Sequence, residues 1–464
     1  MTAPLTNSTS AERLSTRICL SFGVGTVGVS IMLNAVTSYY PAFLSTVLGQ
    51  SPEVAGYLMM ASKLYDAVVD VLIGTWSDAT RSRWGRRRPF LLAGALCSAV
   101  AFFMLFAPPV LSQTALILYM IAAQMLYSTA YSLFNVPYMA MPAELTHGYH
   151  ERTRLLSFRT VFVSIGQLLA MAGTAAIIRQ GGGNASAYAM MGLVMALVIG
   201  GAMTATALGT PAIHGPLTAS HSSHHPERAK IWPQLKLMTR NRPYMLLLGA
   251  KVFQFLAFAS IGSTALLYML NVLGVGYSGQ IWLAITQNVV SAASMPLWVR
   301  LGKRLGKRNT YLVGVLLFCA AALSWLLAHK GIDTLGLLWR GVISGAGSGA
   351  LILMSVSMLS DTMAYDRALT GQSREGLMSS TVAVIEKASF ALGVALLGIF
   401  LRAFHYVPTV GGKLVTQPPS AVLALTMGYA VIPMAMFTIN GIFLWLYDLD
   451  ETRLEKARAH RAAL

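Results

Sequence analysis

Residues 63–89 read KLYDAVVDVLIGTWSDATRSRWGRRRP. Asp66 and Asp70 stand in the middle of an apolar run, 54–76, that is long enough to cross a bilayer. A carboxylate at that depth costs several kcal/mol unless something pairs with it, which confines such residues to ion and substrate pathways. Four residues make about one helical turn, so the two carboxylates share a face roughly 6 Å apart along the axis. Lys63, Gly74 and Ser77 continue that face in steps of three or four, and a polar stripe in lipid must turn toward protein or water. The mutual repulsion of two carboxylates on adjacent turns is relieved by a proton or an alkali ion, so the pattern predicts a carrier. The alternative is a structural ion pair with Lys63 or Lys387.

Composition agrees with a membrane setting. Hydrophobic residues make up 55% of the 464 and charged residues 11%, against about a quarter charged in soluble domains. Apolar stretches predict about twelve spans, at 17–48, 53–79, 89–110, 114–142, 154–179, 186–209, 243–273, 278–300, 309–329, 334–360, 377–403 and 420–447. The polar first fifteen residues lack a signal-peptide pattern, so the first span serves as the insertion signal.

The net charge of +17 does not indicate nucleic acid, because Lys and Arg collect in alternate loops: Arg81 to Arg88, Arg152 and Arg154, and Arg300 to Arg308. The positive-inside rule then puts both termini and the 210–242 loop in the cytoplasm of a multi-pass protein, expected in a bacterial inner membrane. Cys19, Cys97 and Cys319 fall in apolar spans without metal-ligand spacing and read as small hydrophobes. His221, His224 and His225 sit in a Ser/Thr/Pro-rich segment and read as a solvated linker. The sequons at Asn7 and Asn184 carry meaning only in a secretory pathway, and Asn7 faces the cytoplasm in this topology.

The 210–242 loop divides the chain into 1–209 and 243–464, each with six predicted spans. Positions echo between them: GTWSDATRSRWGRRRPFLLAG (74–94) answers PLWVRLGKRLGKRNTYLVG (296–314), and MPAELTHGYHERTRLLS (141–157) answers MLSDTMAYDRALTGQSREGLMS (358–379). A parallel repeat of six-helix halves predicts an all-α membrane protein built as a duplicated bundle; it is the signature of the major facilitator architecture, with its site near mid-depth between halves that rock, but the fold name itself needs motifs.

Further polar residues fall at the same depth. Lys387, in the eleventh span, reaches the level of Asp66 and supplies its counter-charge, while its neighbour Glu386 points about 100° away and is read as bonding within its own half. Ser132, Asn135 and Tyr138 in the fourth span, with Arg159 in the fifth, offer donors and acceptors for hydroxyls or carboxylates. Gln254, Gln287 and Asn288 face them from the other half, and Lys251 is read as snorkelling to the cytoplasmic surface. Asp78, followed by Arg81, Arg83 and Arg86 to Arg88, reads as a carboxylate latch on a tight basic turn.

These residues resemble the glycoside-pentoside-hexuronide:cation symporters. The resemblance is carried by Asp66 through Asp70 and Gly74 to Pro89, by Asn135-Val-Pro137-Tyr138, by Glu144 with Glu151-Arg152-Thr153-Arg154, by Arg159, and by Asp361 through Arg374-Glu375-Gly376 to Lys387. It implies that Asp66 and Asp70, joined by Ser132, bind the coupling cation. It also implies that Lys387 is their partner and that Asn135 and Arg159 belong to the sugar-binding face; Asp66, Lys387, Gln254 and Gln287 join them as expected substrate ligands on their depth. Asp78, Arg81, Arg83, Arg87, Glu144, Arg154, Asp361 and Arg374 are the implied gating set.

Three departures matter: Ser30 stands where melibiose carriers place an acidic sugar ligand, Met139 where an aromatic is expected, and Val69 where sodium-coupled members supply an oxygen. Alkali ions need several oxygens and protons one carboxylate, so proton coupling is favoured over sodium. The expectation is a monomeric, cofactor-free symporter of a sugar, glycoside or uronide, with a small-molecule substrate, a coupling cation (H+ or Na+) and the lipid bilayer as its partners. A carrier of an amphiphile such as a lysolipid is the runner-up, because Ser30 and Met139 make the site less polar. A transport-inactive membrane sensor is the reading from another class, to be marked by an unpaired or missing charge at mid-depth. No nucleophile and base, nucleotide loop or metal set indicates an enzyme.

Overall fold

Lipid offers backbone groups no hydrogen-bonding partner, so an apolar stretch of this length closes its own hydrogen bonds as a helix. A computed structural model describes residues 14–146, 149–211, 237–371 and 374–462, which leaves Asn7 and the three linker histidines outside the described residues. The helices are α1 (Thr16–Thr46), α2 (Pro52–Ala79), α3 (Arg88–Phe106), α4 (Gln113–Leu145), α5 (Tyr149–Leu168, a π-helical turn Leu169–Gly173, then Thr174–Gln180), α6 (Ala185–Gly209), α7 (Arg242–Asn271), α8 (Gly276–Leu305), α9 (Lys307–Leu326), α10 (Thr334–Thr370), α11 (Glu375–Ala403), α12 (Pro419–Thr426, a π-helical turn Met427–Val431, then Ile432–Trp445) and α13 (Glu451–Ala462). Ten of these segments are long and apolar enough to cross a membrane. α2 and α8 fill the places of two more predicted spans but are too polar to qualify. α2 carries Lys63, Asp66 and Asp70; α8 carries Gln280, Gln287 and Asn288.

The packing repeats. In the first half α1 lies on α5 and α6, α3 on α4 and α6, and α2 on α4; in the second, α7 lies on α11 and α12, α9 on α10 and α12, and α8 on α10. The echoed motifs occupy matching turns, after α2 and after α8, where Gly85 (φ 88°) and Gly306 (φ 81°) take backbone angles that a side chain would strain. Each π-helical turn frees a carbonyl that a hydroxyl from a neighbouring helix caps: Tyr39 on α1 donates to Met171, and Ser260 on α7 donates to Gly428 at 2.5 Å.

The halves meet through α2–α11, α5–α8 and α1–α7. At the end opposite the basic turns the joint is sealed. Arg402 pairs with Glu53, and the Tyr188 and Tyr277 hydroxyls meet at 3.0 Å. The chain after α11 also straps across α1, with Thr409 N donating to Ser45 O at 2.8 Å and Gly411 N to Val47 O at 2.9 Å. Among the described residues, no ion pair or hydrogen bond joins the halves at the basic end. Among the described residues, the polar seal between the halves lies at the face opposite the basic turns.

Candidate functional site

The spacing that sets Asp66 and Asp70 on one face of α2 also sets Ser62 there, and on α4 it aligns Ser128 with Ser132. Ser62 and Ser128 meet at 2.7 Å, and Tyr65 and Thr129 at 3.0 Å, which fixes the register of α2 against α4. This ladder was not anticipated from sequence, although the i, i+4 spacing carried the signal. It delivers Ser132 between the carboxylates, its Oγ 3.0 Å from Asp66 Oδ1 and 2.6 Å from Asp70 Oδ1.

From α11, Lys387 Nζ closes the ring, 2.8 Å from Asp66 Oδ2 and 2.5 Å from Asp70 Oδ2. The Asp66 side chain is 3% exposed and that of Asp70 28%. Asp66 Oδ2 sits at ion-pair distance from the lysine without an aligned hydrogen bond. With every group ionised the ring holds one negative charge more than positive, so one proton or alkali ion neutralises it.

The structure thus brings Asp66, Asp70, Ser132 and Lys387 together. Asn135, on the same helix as Ser132, is half-buried and makes no side-chain hydrogen bond among the described residues. Arg159 is half-buried beside the Tyr138 hydroxyl, its Nε buried and unpartnered. Gln287 is half-buried on α8, where its backbone oxygen would stand 2.6 Å from a Cβ at Gly345. Gln254 is not brought to the ring; it is buried and accepts a hydrogen bond from Tyr311 at 3.1 Å.

Glu386 bonds within its own half, to Lys251 at 2.6 Å. Lys251 therefore does not snorkel to the surface: its own side chain is buried, and the half-buried Glu386 carboxylate on α11 gives its ammonium a partner inside the half. Lys63, weighed from sequence as an ion-pair partner, makes none among the described residues. Ser30 does not face open space: a Cβ at Gly166 would fall 2.7 Å from Ser30 Cβ, so only glycine lets α5 approach α1 there. Met139 is 49% exposed.

The gating candidates form ion pairs within each half. Arg87 lies 2.7 Å from Glu144 and 2.6 Å from Asp78, and donates to Ser77 Oγ at 2.7 Å, while Arg86 reaches Glu144 at 2.5 Å. Burial alone would loosen the Arg87 proton, but the Glu144 and Asp78 carboxylates hold it more tightly than usual. The matching pair in the second half is Lys307–Asp361 at 2.6 Å. Arg374 pairs with Asp366 at 2.9 Å, both buried, and Arg154 with Glu151 at 3.5 Å. Arg81 and Arg83 are exposed, Arg83 standing over the Trp84 ring at 5.8 Å.

Comparison with known proteins places this geometry. The family described as MFS/sugar transport protein matches residues 21–451. A symporter of Synechocystis, itself uncharacterised, is 26% identical over 96% of both chains. A glucuronide carrier protein homolog of Escherichia coli is 25% identical, over 96% of this chain and 95% of its own. An isoprimeverose transporter of Lactiplantibacillus pentosus is 22% identical, over 96% and 92%. Among solved structures, a bacterial homolog of the human lysosomal transporter Spinster, inward-facing and unoccupied, superposes with a TM-score of 0.70 over 95% of this chain and 98% of that one, at 13% identity.

Proposed function

The chain belongs to the MFS/sugar transport protein family, as one of its glycoside-pentoside-hexuronide:cation symporters with the major facilitator fold, and from that premise we propose a proton-driven symporter for a sugar, glycoside or uronide. The basic end faces the cytoplasm in this reading, so the polar seal between the halves lies on the outer side.

One observation carries the coupling ion. Ser132 has a single proton, yet its oxygen lies at hydrogen-bond distance from both carboxylates. It can donate to one; the other contact is favourable only if that carboxyl carries a proton of its own and donates back. One added proton therefore completes the ring and neutralises it. Asp66 is the more buried of the two and has an oxygen without an aligned donor, whereas Asp70 is hydrogen-bonded by both Ser132 and Lys387.

Because Lys387 belongs to the second half and both carboxylates to the first, the charge on the ring sets how strongly the halves attract at mid-depth. Binding the cation weakens that attraction and permits rocking, which ties the cation to the conformational cycle. Lys63 and Arg159 stand outside the ring without a carboxylate; they are read below as substrate ligands rather than as the mark of an inactive sensor.

The test is uptake by proteoliposomes of the full chain across a panel of glycosides, uronides and a lysolipid, under separate inward proton and sodium gradients. Concentrative uptake of a glycoside or uronide with the proton gradient is expected. Uptake confined to the lysolipid transfers the assignment to an amphiphile carrier, and uptake that needs sodium and ignores pH refutes the proton.

A further inference from the structure

The deep charges do not balance within the protein. Around the ring the structure sets four cations, Lys63, Arg159, Lys251 and Lys387, against three carboxylates, Asp66, Asp70 and Glu386. Lys251 and Glu386 neutralise each other at 2.6 Å, and Lys387 is committed to the two aspartates. Lys63 and Arg159 are left. Neither has a carboxylate partner among the described residues, and α1, which crosses the same region, contains no acidic residue between Thr16 and Thr46.

Both cations belong to the neighbourhood of the ring. Lys63 lies on the Asp66 face of α2, one turn or about 4.5 Å along the axis on the sealed side. It lies within reach of the charges on Asp66, Asp70 and Lys387. Tyr131, buried on α4, lies within reach of the charges of Asp66, Asp70 and Arg159 alike, which sets Arg159 around the same space. Arg159 is half-buried with an unpartnered Nε, and its guanidinium is a planar fork suited to a carboxylate or a sulfonate. Lys63, like Arg159, is half-buried in this conformation; a cation closed off from water without a counter-charge is costly, and two together cost more. Such an arrangement is kept where a ligand brings the missing charge.

We propose that the substrate is an anionic sugar, carrying a carboxylate or sulfonate, and that Lys63 and Arg159 are its charge-recognising ligands. The inference rests on the symport reading and narrows it to a substrate class. It also supplies an order of binding. While the ring holds its surplus negative charge, that charge repels an incoming anion and draws on the field of Lys63 one turn away. Once the coupling cation neutralises the ring, the field of Lys63 and Arg159 is free for the substrate, and the loaded site approaches neutrality only if the substrate is an anion. A neutral glycoside would leave two uncompensated positive charges in the closed site.

The experiment uses matched probes that differ in one group: p-nitrophenyl β-glucuronide against p-nitrophenyl β-glucoside, and the corresponding galacturonide and galactoside, as initial rates in proteoliposomes of the full chain. The anionic member of a pair should be preferred by about tenfold or more in kcat/KM. Lys63→Gln should remove about tenfold of that preference, read as the ratio of kcat/KM between the two members of a pair, and Lys63→Arg should restore it. Equal or better transport of the neutral members by the unaltered protein, or an equal loss on both members in Lys63→Gln, overturns the inference and leaves symport standing. Absence of gradient-driven uptake for every probe overturns the symport reading, and this inference with it. The preference of the unaltered protein decides the matter even if Lys63→Gln fails to fold.

Discussion

Lys387 Nζ, on α11, lies 2.5 Å from Asp70 Oδ2, on α2, and this pair joins the two halves of the molecule at mid-depth. The other polar contacts between halves among the described residues are at the sealed end, apart from the same lysine's approach to Asp66. A single ammonium therefore serves as the internal counter-ion of both carboxylates and as the polar tie between the two halves at mid-depth.

Asp70→Asn leaves Asp66 and Lys387, a neutral pair that needs no added cation. Uphill accumulation should be lost, while substrate binding and exchange partly survive, as read by counterflow in proteoliposomes. Concentrative uptake by a well-folded Asp70→Asn protein would remove Asp70 from the coupling site.

Ser132→Ala removes the hydroxyl that joins the carboxylates. The loss of such a hydrogen bond should weaken cation binding by about 1–3 kcal/mol, seen as a shift in the pH dependence of the initial uptake rate. Ser132→Thr, which keeps the hydroxyl, should recover most of it. An unchanged pH profile in Ser132→Ala would exclude the bridged-proton geometry.

Asp78 and Glu144 share Arg87, but the Asp78 side chain is 63% exposed and that of Glu144 3%. Glu144→Gln strips a buried pair and should cost about 3–5 kcal/mol, read as a fall in melting temperature. Asp78→Asn should cost less than about 1 kcal/mol while slowing turnover, with substrate affinity changed by less than about tenfold. A large stability loss in Asp78→Asn would make it a fold anchor rather than a gate residue.

Gly398 holds the sealed end shut: a Cβ there would strike the backbone oxygen of Pro52, at the start of α2. Gly398→Val should force α11 from α2, raise labelling of cysteines introduced at the sealed face, and depress transport. Labelling no greater than in the unaltered protein would show that the seal is set elsewhere, at the Tyr188–Tyr277 contact or the strap over α1.

The legible part was one-dimensional. Hydropathy and length located the helices, because a segment in lipid must satisfy its own backbone. The echo of charge between 74–94 and 296–314 marked the repeat, and the same packing pairs recur in both halves. The four-residue step made Asp66 and Asp70 neighbours before any helix was packed, since helical geometry alone fixes that relation.

What the tertiary structure decided lies between helices. Helix depth named Lys387 as the counter-charge but left Lys63, on the carboxylates' own helix, as a rival; packing brings the α11 lysine, more than three hundred residues away, against both carboxylates. Sequence order could not say that Lys251 turns inward to Glu386, that Gln254 is held by Tyr311, or that Ser30 is packed against α5 at Gly166. Each depends on which faces of separate helices are pressed together, and that is set by the fit of small residues and the pairing of charges across the bundle. Periodicity along one helix fixes which residues share a face; only packing fixes what that face meets.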